Sequence, residues 1–246
     1  MTNSNFFIGA PIKAWNLCKI YPPKVREIIE EEEYAFFCKI LLITQEDLED
    51  MKAEGKIEDF MTPFSFLLNQ AQSSKTIEDL IKKGFYFFIH ENITILYDLK
   101  IIVVGDLEEE INKIKDIKEL RILSEKDYFV FQNLLRESIG EEKVEPFKVE
   151  TNPRIREIKA KGRRRERAKR KSQQGISLGT LLSAICCMGI GITPLNIGEI
   201  SYAALSSIKD MSQKKEKYEI DVRSLLAGAD SKKVKPVYWI TEEKLD

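Results

Sequence analysis

The sequence predicts an α+β protein: a mainly helical N-terminal domain with a small antiparallel β element, a charged helical linker and an all-α C-terminal domain. Apolar residues recur at helical spacing after capping residues along most of the chain, whereas β-branched and aromatic runs are confined to residues 85–104. The charges are also unevenly distributed, and this divides the chain into an acidic α+β domain at residues 1–150, a basic linker at residues 151–172 and a helical domain at residues 173–246.

The overall charge is balanced, with 39 basic and 40 acidic residues in 246, but its distribution is not. Arg154–Lys171 holds 11 basic and 2 acidic residues, whereas residues 1–153 hold 29 acidic and 19 basic ones. A hydrophobic content of 43% is enough for a sizeable core, and it excludes disorder throughout the chain. The whole-chain balance therefore indicates no acidic or basic partner.

The first part of the chain predicts a hairpin or extended stretch followed by short amphipathic helices. Phe6–Ile20 is apolar but interrupted by Gly9 and Pro11, which favours extended structure. Pro23 suits the first turn of a helix, and an aromatic helix from Tyr34 follows. Two further helices are predicted by N-terminal signals, at Thr44–Asp47, with the helix running to about Glu54, and at Thr62–Pro63.

The middle of the chain predicts three short antiparallel strands, at Phe85–Ile89, Ile93–Tyr97 and Ile101–Val104. Asp106 is placed to cap a helix from Leu107 to about Lys115, and Ser124 to open another that reaches Gly140.

After a connector at residues 141–153, the sequence predicts only helices. Arg154–Lys171 favours a charged helix without an apolar stripe. Further elements are predicted at Leu178–Met188, from about Leu195 to Tyr218, at Asp221–Gly228 and at Val237–Ile240.

The residue types needed for catalysis or metal binding are sparse. His90 is the only histidine, at a predicted turn, so histidine-dependent nucleophilic catalysis has one candidate base. The adjacent Cys186 and Cys187 lack the spacing of zinc ligands, and the four cysteines do not resemble a disulfide framework. Gly189 and Gly191 lack the third glycine of a dinucleotide-binding loop. We therefore predict no enzyme activity, no cofactor and no metal.

The basic linker and the uncharged stretch after it each leave a second interpretation open. Basic side chains in the linker could neutralise phosphates, although no aromatic residues are interleaved for base stacking; the candidate anion-binding residues are Arg163, Arg164, Arg165, Arg167, Lys169, Arg170 and Lys171. Ser172–Gly198 carries no charge, but its polar residues, its glycines and Pro194 argue against a membrane-spanning helix. A solvated or internally paired linker and a pair of buried helices are the preferred interpretations.

Several stretches resemble the tail assembly chaperones of tailed phages and prophages of Gram-positive bacteria. The likeness lies in the order of short sequence words: Ile20–Ile28, Gly175–Leu178, Pro194–Tyr202, Tyr218–Asp230 and Tyr238–Ile240. It does not extend to residues 50–172. The resemblance implies a protein without catalysis that holds tape-measure or tail-tube subunits until the tail is built. The cysteine content, which lacks a disulfide framework, predicts a reducing cytoplasm. The resemblance makes this the cytoplasm of a bacterial host, with the virion as the alternative.

The predicted client-binding surface lies in the C-terminal domain, because its apolar content exceeds what about 75 residues need for a core of their own. The candidate residues are Leu181, Leu182, Ile185, Met188, Ile197, Ile200, Tyr202 and Leu205. The predicted partners are tape-measure and tail-tube proteins, with self-association also considered and nucleic acid and membranes disfavoured. A structural component of the tail or neck is the first alternative, and a nucleic-acid-associated factor using residues 154–171 is the second.

Overall fold

A computed structural model describes residues 4–57, 61–105, 120–147, 154–155, 158–159, 161–163, 165 and 177–240. The fold is α+β and mostly helical, with two small antiparallel sheets, which confirms the predicted class. The main core lies among the helices and sheets of residues 6–139, and Ala203 from the C-terminal part also lies in it.

The chain begins with a short helix, α1 (Ser4–Phe7), and the predicted hairpin. Strands β1 (Ile12–Ala14) and β2 (Cys18–Ile20) pair antiparallel, with Ile12 opposite Ile20. Both strands bury side chains against the core, including those of Ala14 and Ile20. The hairpin therefore forms one wall of the main core.

Four helices follow: α2 (Val25–Glu30), α3 (Tyr34–Leu41), α4 (Gln45–Ala53) and α5 (Pro63–Ser73). The predicted capping residue Thr44 accepts a hydrogen bond from the Asp47 backbone N–H at 3.1 Å, and the Asp47 carboxylate accepts one from the Thr44 N–H at 2.9 Å. Thr62 caps α5 in the same way, with Pro63 at the first helical position. These local signals were sufficient to predict where both helices start.

The predicted strand at Phe85–Ile89 is wrong, because these residues form the last turns of helix α6 (Lys75–Ile89). Phe85, Phe88 and Ile89 are buried while Tyr86 is exposed, which is helical and not alternating periodicity. An apolar run of five residues does not distinguish the two periods by itself. Here α6 packs against α3 and α5, and the helix ends only at His90, in the left-handed region with φ 55°.

The other two predicted strands form as β3 (Ile93–Leu96) and β4 (Ile101–Val104), paired antiparallel with Ile93 opposite Val104. A third strand, β5 (Ile122–Leu123), pairs with the other edge of β4, and the sequence did not predict it. The predicted helix at Leu107–Lys115 lies outside the described residues. Helix α7 (Glu125–Ser138) begins after Ser124 as predicted and packs Phe131 against Phe85, with ring centroids 5.7 Å apart.

The C-terminal part contains helix α8 (Leu178–Cys187), a 3₁₀ turn (Ile197–Glu199) and helix α9 (Tyr202–Leu226). The predicted helix start at Leu195 is wrong: Ser201 caps α9, accepting from the Ala204 N–H at 3.2 Å. The separate element predicted at Asp221–Gly228 is also wrong, because α9 continues through it to Leu226. No glycine or proline interrupts residues 202–226, so the helix has no reason to end earlier.

Candidate partner-binding surface

Three of the predicted client-binding residues are buried inside the protein. Ile185, Ile197 and Leu205 form a second apolar cluster together with Val25 of α2. Leu181, Leu182 and Tyr202 pack around this cluster and are half-buried. Most of the apolar area that the sequence assigned to a client therefore stabilises the contact between the C-terminal helices and α2.

Hydrogen bonds to three backbone carbonyls hold this contact in place. The Val25 N–H donates to the Ile200 carbonyl at 3.0 Å, and the Tyr202 N–H donates to the Pro23 carbonyl at 2.8 Å. The buried Ser201 hydroxyl donates to the Phe6 carbonyl at 2.8 Å. The predicted residues Ile200 and Tyr202 are thus fixed to the N-terminal part through their main chain.

An exposed ion-pair network borders the same contact. Glu199 lies 2.8 Å from the Lys24 ammonium and 2.9 Å from the Arg26 guanidinium. The hydrogen bond from Lys24, followed by the charge of Arg26, lowers the pKa of Glu199. Exposed pairs contribute little stability, so this network orients the 3₁₀ turn more than it stabilises the fold.

The turn between α8 and the 3₁₀ helix is where apolar side chains reach solvent. Met188, Ile190 and Leu195 are 42%, 51% and 93% exposed, and we call these three residues the apolar turn. Met188 is the one member that the sequence assigned to client binding. Ile190 and Leu195 were not among the candidate residues, although the glycines beside Ile190 and the proline before Leu195 signalled a turn.

The geometry of the apolar turn is set by glycines and one asparagine. Gly189 and Gly191 have φ of 69° and 81°, a region that other residues rarely adopt. The Asn196 side chain accepts from the Thr193 N–H at 2.8 Å and donates to the Gly191 carbonyl at 3.0 Å. These two bonds brace the turn across residues 191–196.

The described part of the basic segment is tied to the acidic N-terminal half. Arg163 is helical, its side chain is 19% exposed, and it donates to the buried Asp50 carboxylate of α4 at 3.0 Å. Arg165 is exposed. The other candidate anion-binding residues, Arg164, Arg167, Lys169, Arg170 and Lys171, lie outside the described residues.

A cavity of about 630 Å³ lies beside this contact, between α4, α5, α7 and the segment at residues 141–147. Polar groups in its wall bind the protein itself: Gln132 donates to the carbonyls of Leu41 and Ile43, and Arg136 pairs with Glu141. Among the described residues, no group of His, Cys, Asp and Glu side chains could hold a metal ion.

His90 and the cysteines were the residues that the sequence analysis considered for catalysis or metal binding. The His90 ring stacks on Tyr21 with centroids 4.2 Å apart. All four cysteines are free thiols, and burial raises the pKa of Cys18 to about 12, so this thiol is a poor nucleophile at neutral pH. In the part of the chain that is described, no helix is both long and apolar enough to cross a membrane.

Neither a protein-family model, nor a curated protein, nor a solved structure matches this chain.

Proposed function

We propose that this protein is a phage tail assembly chaperone that binds tape-measure or tail-tube subunits transiently and without catalysis. The observation that carries the proposal is the apolar turn, since a side chain as exposed as Leu195 at 93% contributes nothing to the protein's own core. Exposed apolar groups that are held in a defined conformation are typical of binding surfaces. The resemblance in word order to tail assembly chaperones, which includes residues 194–202, supplies the class of client.

The size of the apolar turn suits reversible binding. Burying one large apolar side chain contributes about 1.5–3 kcal/mol, whereas association costs about 4–15 kcal/mol before any contact is counted. The three side chains of the turn, with half-buried neighbours on α8, therefore support a weak complex. A chaperone needs such a complex, because it must release its client when a better-matched tail subunit is available.

The main alternatives differ in what they require of the surface. A permanent part of the tail or neck requires a large interface that survives dilution, whereas the apolar turn is small. A nucleic-acid-associated factor requires free basic side chains, and the described Arg163 is engaged by Asp50. The small size of the turn favours the chaperone over a structural part of the tail, and the engagement of Arg163 leaves the exposed Arg165 as the described basic candidate for nucleic acid.

Co-expression with a candidate tape-measure protein tests the proposal. Ending the chain at Lys171 would remove Ala203 from the main core, so point substitutions are the sharper test. We expect Ile190→Ser with Leu195→Ser to reduce the soluble, co-purifying client several-fold while circular dichroism stays unchanged.

The matched control replaces two exposed apolar residues of the N-terminal half, Leu99 (67% exposed) and Val130 (51% exposed), with serine. This control variant is expected to keep the client soluble. Equal client loss in both variants, or none in either, would remove the apolar turn from the proposal. A complex that resists dilution and remains in finished tails would favour the structural alternative.

A further inference from the structure

Helix α9 is much longer than its packing requires. Its 25 residues span about 37 Å, yet its buried residues are Ala203, Ala204 and Leu205, all in the first turn. Beyond the first turn of α9, Ile208 packs partly against the second cluster, and the Ser212 hydroxyl contacts the sulfur of Met188, the residue after α8. A polar helix of this length gains most of its stability from packing against another element. We therefore expect the distal part of α9 to pack against a partner.

One face of α9 has the spacing of a coiled-coil seam. Apolar residues and one lysine recur at alternating intervals of three and four, and we call this set the α9 stripe: Ile208, Met211, Lys215, Tyr218, Val222 and Leu225. This interval keeps side chains on one side of a helix that packs along another helix. The charged residues that flank the stripe include Lys214 and Asp221, and within the described residues neither forms an ion pair in the chain.

Two rings from the chain's own C-terminal segment lie over the centre of the stripe. Tyr238 packs edge-on against Tyr218, with centroids 5.6 Å apart, and the Lys215 ammonium lies 6.0 Å from the centre of the Trp239 ring. Tyr238 is itself half exposed, and Met211 towards one end of the stripe is 38% exposed. Ile208 packs partly against the second cluster, and Val222 and Leu225 are half-buried, so Met211 is the most exposed apolar member of the stripe.

The order of residues along the stripe is self-complementary when reversed. An antiparallel second copy places Ile208 opposite Leu225 and Met211 opposite Val222. It also places Lys215 opposite Tyr218, which repeats the cation–aromatic contact already made with Trp239. Two apolar layers and one cation–aromatic layer then recur by two-fold symmetry.

The parallel arrangement lacks this match, because Lys215 of one copy would face Lys215 of the other in the seam. At the flank, the antiparallel arrangement brings Lys214 beside Asp221 of the second copy. The facing lysines count against the parallel orientation, in which Lys214 would face Glu219, a residue that already pairs with Arg223 in its own chain. We therefore expect the antiparallel orientation, with a second copy as the occupant.

We propose that the α9 stripe is the seam of an antiparallel dimer of this chain, in which the second copy displaces the Tyr238 and Trp239 rings. The dimer is independent of the proposed chaperone function, since self-association is measured without any client.

Sedimentation velocity of the full chain at rising concentration tests the seam. We expect the mass to rise from 28.5 kDa towards twice that value. Val222→Asp is expected to keep the mass at one chain, because it places a carboxylate in an apolar layer. Ile220→Asp is the matched control: Ile220 is 53% exposed on the same helix but outside the stripe, and its substitution should leave dimerisation unchanged.

Charge reversal tests the orientation. Lys214→Glu should weaken the dimer several-fold by facing Asp221 of the second copy, and adding Asp221→Lys should restore it. A wild-type chain that stays at one mass at every concentration, or equal losses in the two aspartate variants, would overturn the seam. Rescue by Glu219→Lys in place of Asp221→Lys would overturn the antiparallel orientation, because Glu219 is the parallel partner of Lys214.

Discussion

Replacing Arg163 with alanine is expected to lower the free energy of unfolding by about 2 kcal/mol, because it removes the hydrogen bond that the guanidinium donates to Asp50. This contact joins residues 113 positions apart in the sequence. Arg163 also lies 4.0 Å from the Glu46 carboxylate of α4, so the Asp50 contact is the shorter of two links between the basic segment and this helix.

The magnitude follows from burial and charge. A hydrogen bond between charged groups contributes about 1.5–3 kcal/mol, roughly twice a neutral one. The Asp50 side chain is 2% exposed and that of Arg163 is 19% exposed, so water screens the pair far less than it screens a surface pair. Partial burial lowers the pKa of Arg163, but the hydrogen bond and the charge of Asp50 raise it by more than burial lowers it. The net shift of this pKa is upward, and the guanidinium is charged.

Urea denaturation followed by far-UV circular dichroism measures the effect. A double-mutant cycle with Asp50→Asn isolates the contact, and we expect a coupling free energy of at least about 1 kcal/mol. Arg165→Ala is the matched control, because Arg165 is exposed on the same segment; its effect is expected to stay within about 0.5 kcal/mol.

Two results would refute this reasoning. Additive effects of Arg163→Ala and Asp50→Asn would show that the two side chains do not stabilise each other. Equal destabilisation by Arg163→Ala and Arg165→Ala would show that the segment acts through its overall charge and not through this contact.

Three further predictions concern the remaining contacts. Gly140→Ala should cost about 2–3 kcal/mol in urea unfolding, because φ is 73° and the new Cβ would lie 2.7 Å from a side-chain carbon of α9; an unchanged midpoint would contradict that packing. Ser201→Ala should cost about 2 kcal/mol by the same assay, since it removes the cap of α9 and the hydrogen bond to the Phe6 carbonyl, whereas Ser201→Thr should recover part of the loss. The hydrogen bond from Lys82 lowers the pKa of Glu78, so this ion pair stabilises the fold above the ordinary carboxyl value of 4.5 and loses that effect as pH falls. The melting temperatures of wild type and Lys82→Met should therefore converge on acidification, and a constant gap would contradict the assignment.

Features that depend on neighbouring residues were predictable from the sequence. Thr44 with Asp47 and Thr62 with Pro63 marked helix starts that the structure confirms. The β-branched runs at Ile93–Leu96 and Ile101–Val104 form the expected antiparallel pair. Such signals act within one turn of helix or one strand, so the residues that carry them lie next to each other in the sequence.

The candidate site was predicted less well than the helices and strands. The sequence indicated that the C-terminal region is rich in apolar residues, and Met188 was assigned to an exposed surface. It could not show that Ile185 and Leu205 are buried by Val25, because Val25 lies about 160 residues earlier in the chain. Periodicity shows that one face of a helix is apolar. Whether that face is buried depends on which distant segment of the chain packs against it.

The sequence alone determined the α+β class, the capped helix starts, the concentration of basic charge in one segment and the apolar character of the C-terminal helices. The tertiary structure decided that Phe85–Ile89 is helical, that Asp50 holds Arg163, and that the turn at Met188–Leu195 carries exposed apolar side chains while Ile185 is buried. The physical reason is the range of the forces. Capping and backbone propensity act over a few residues, whereas burial and the pairing of buried charges depend on contacts between distant segments that exist only once the chain has folded.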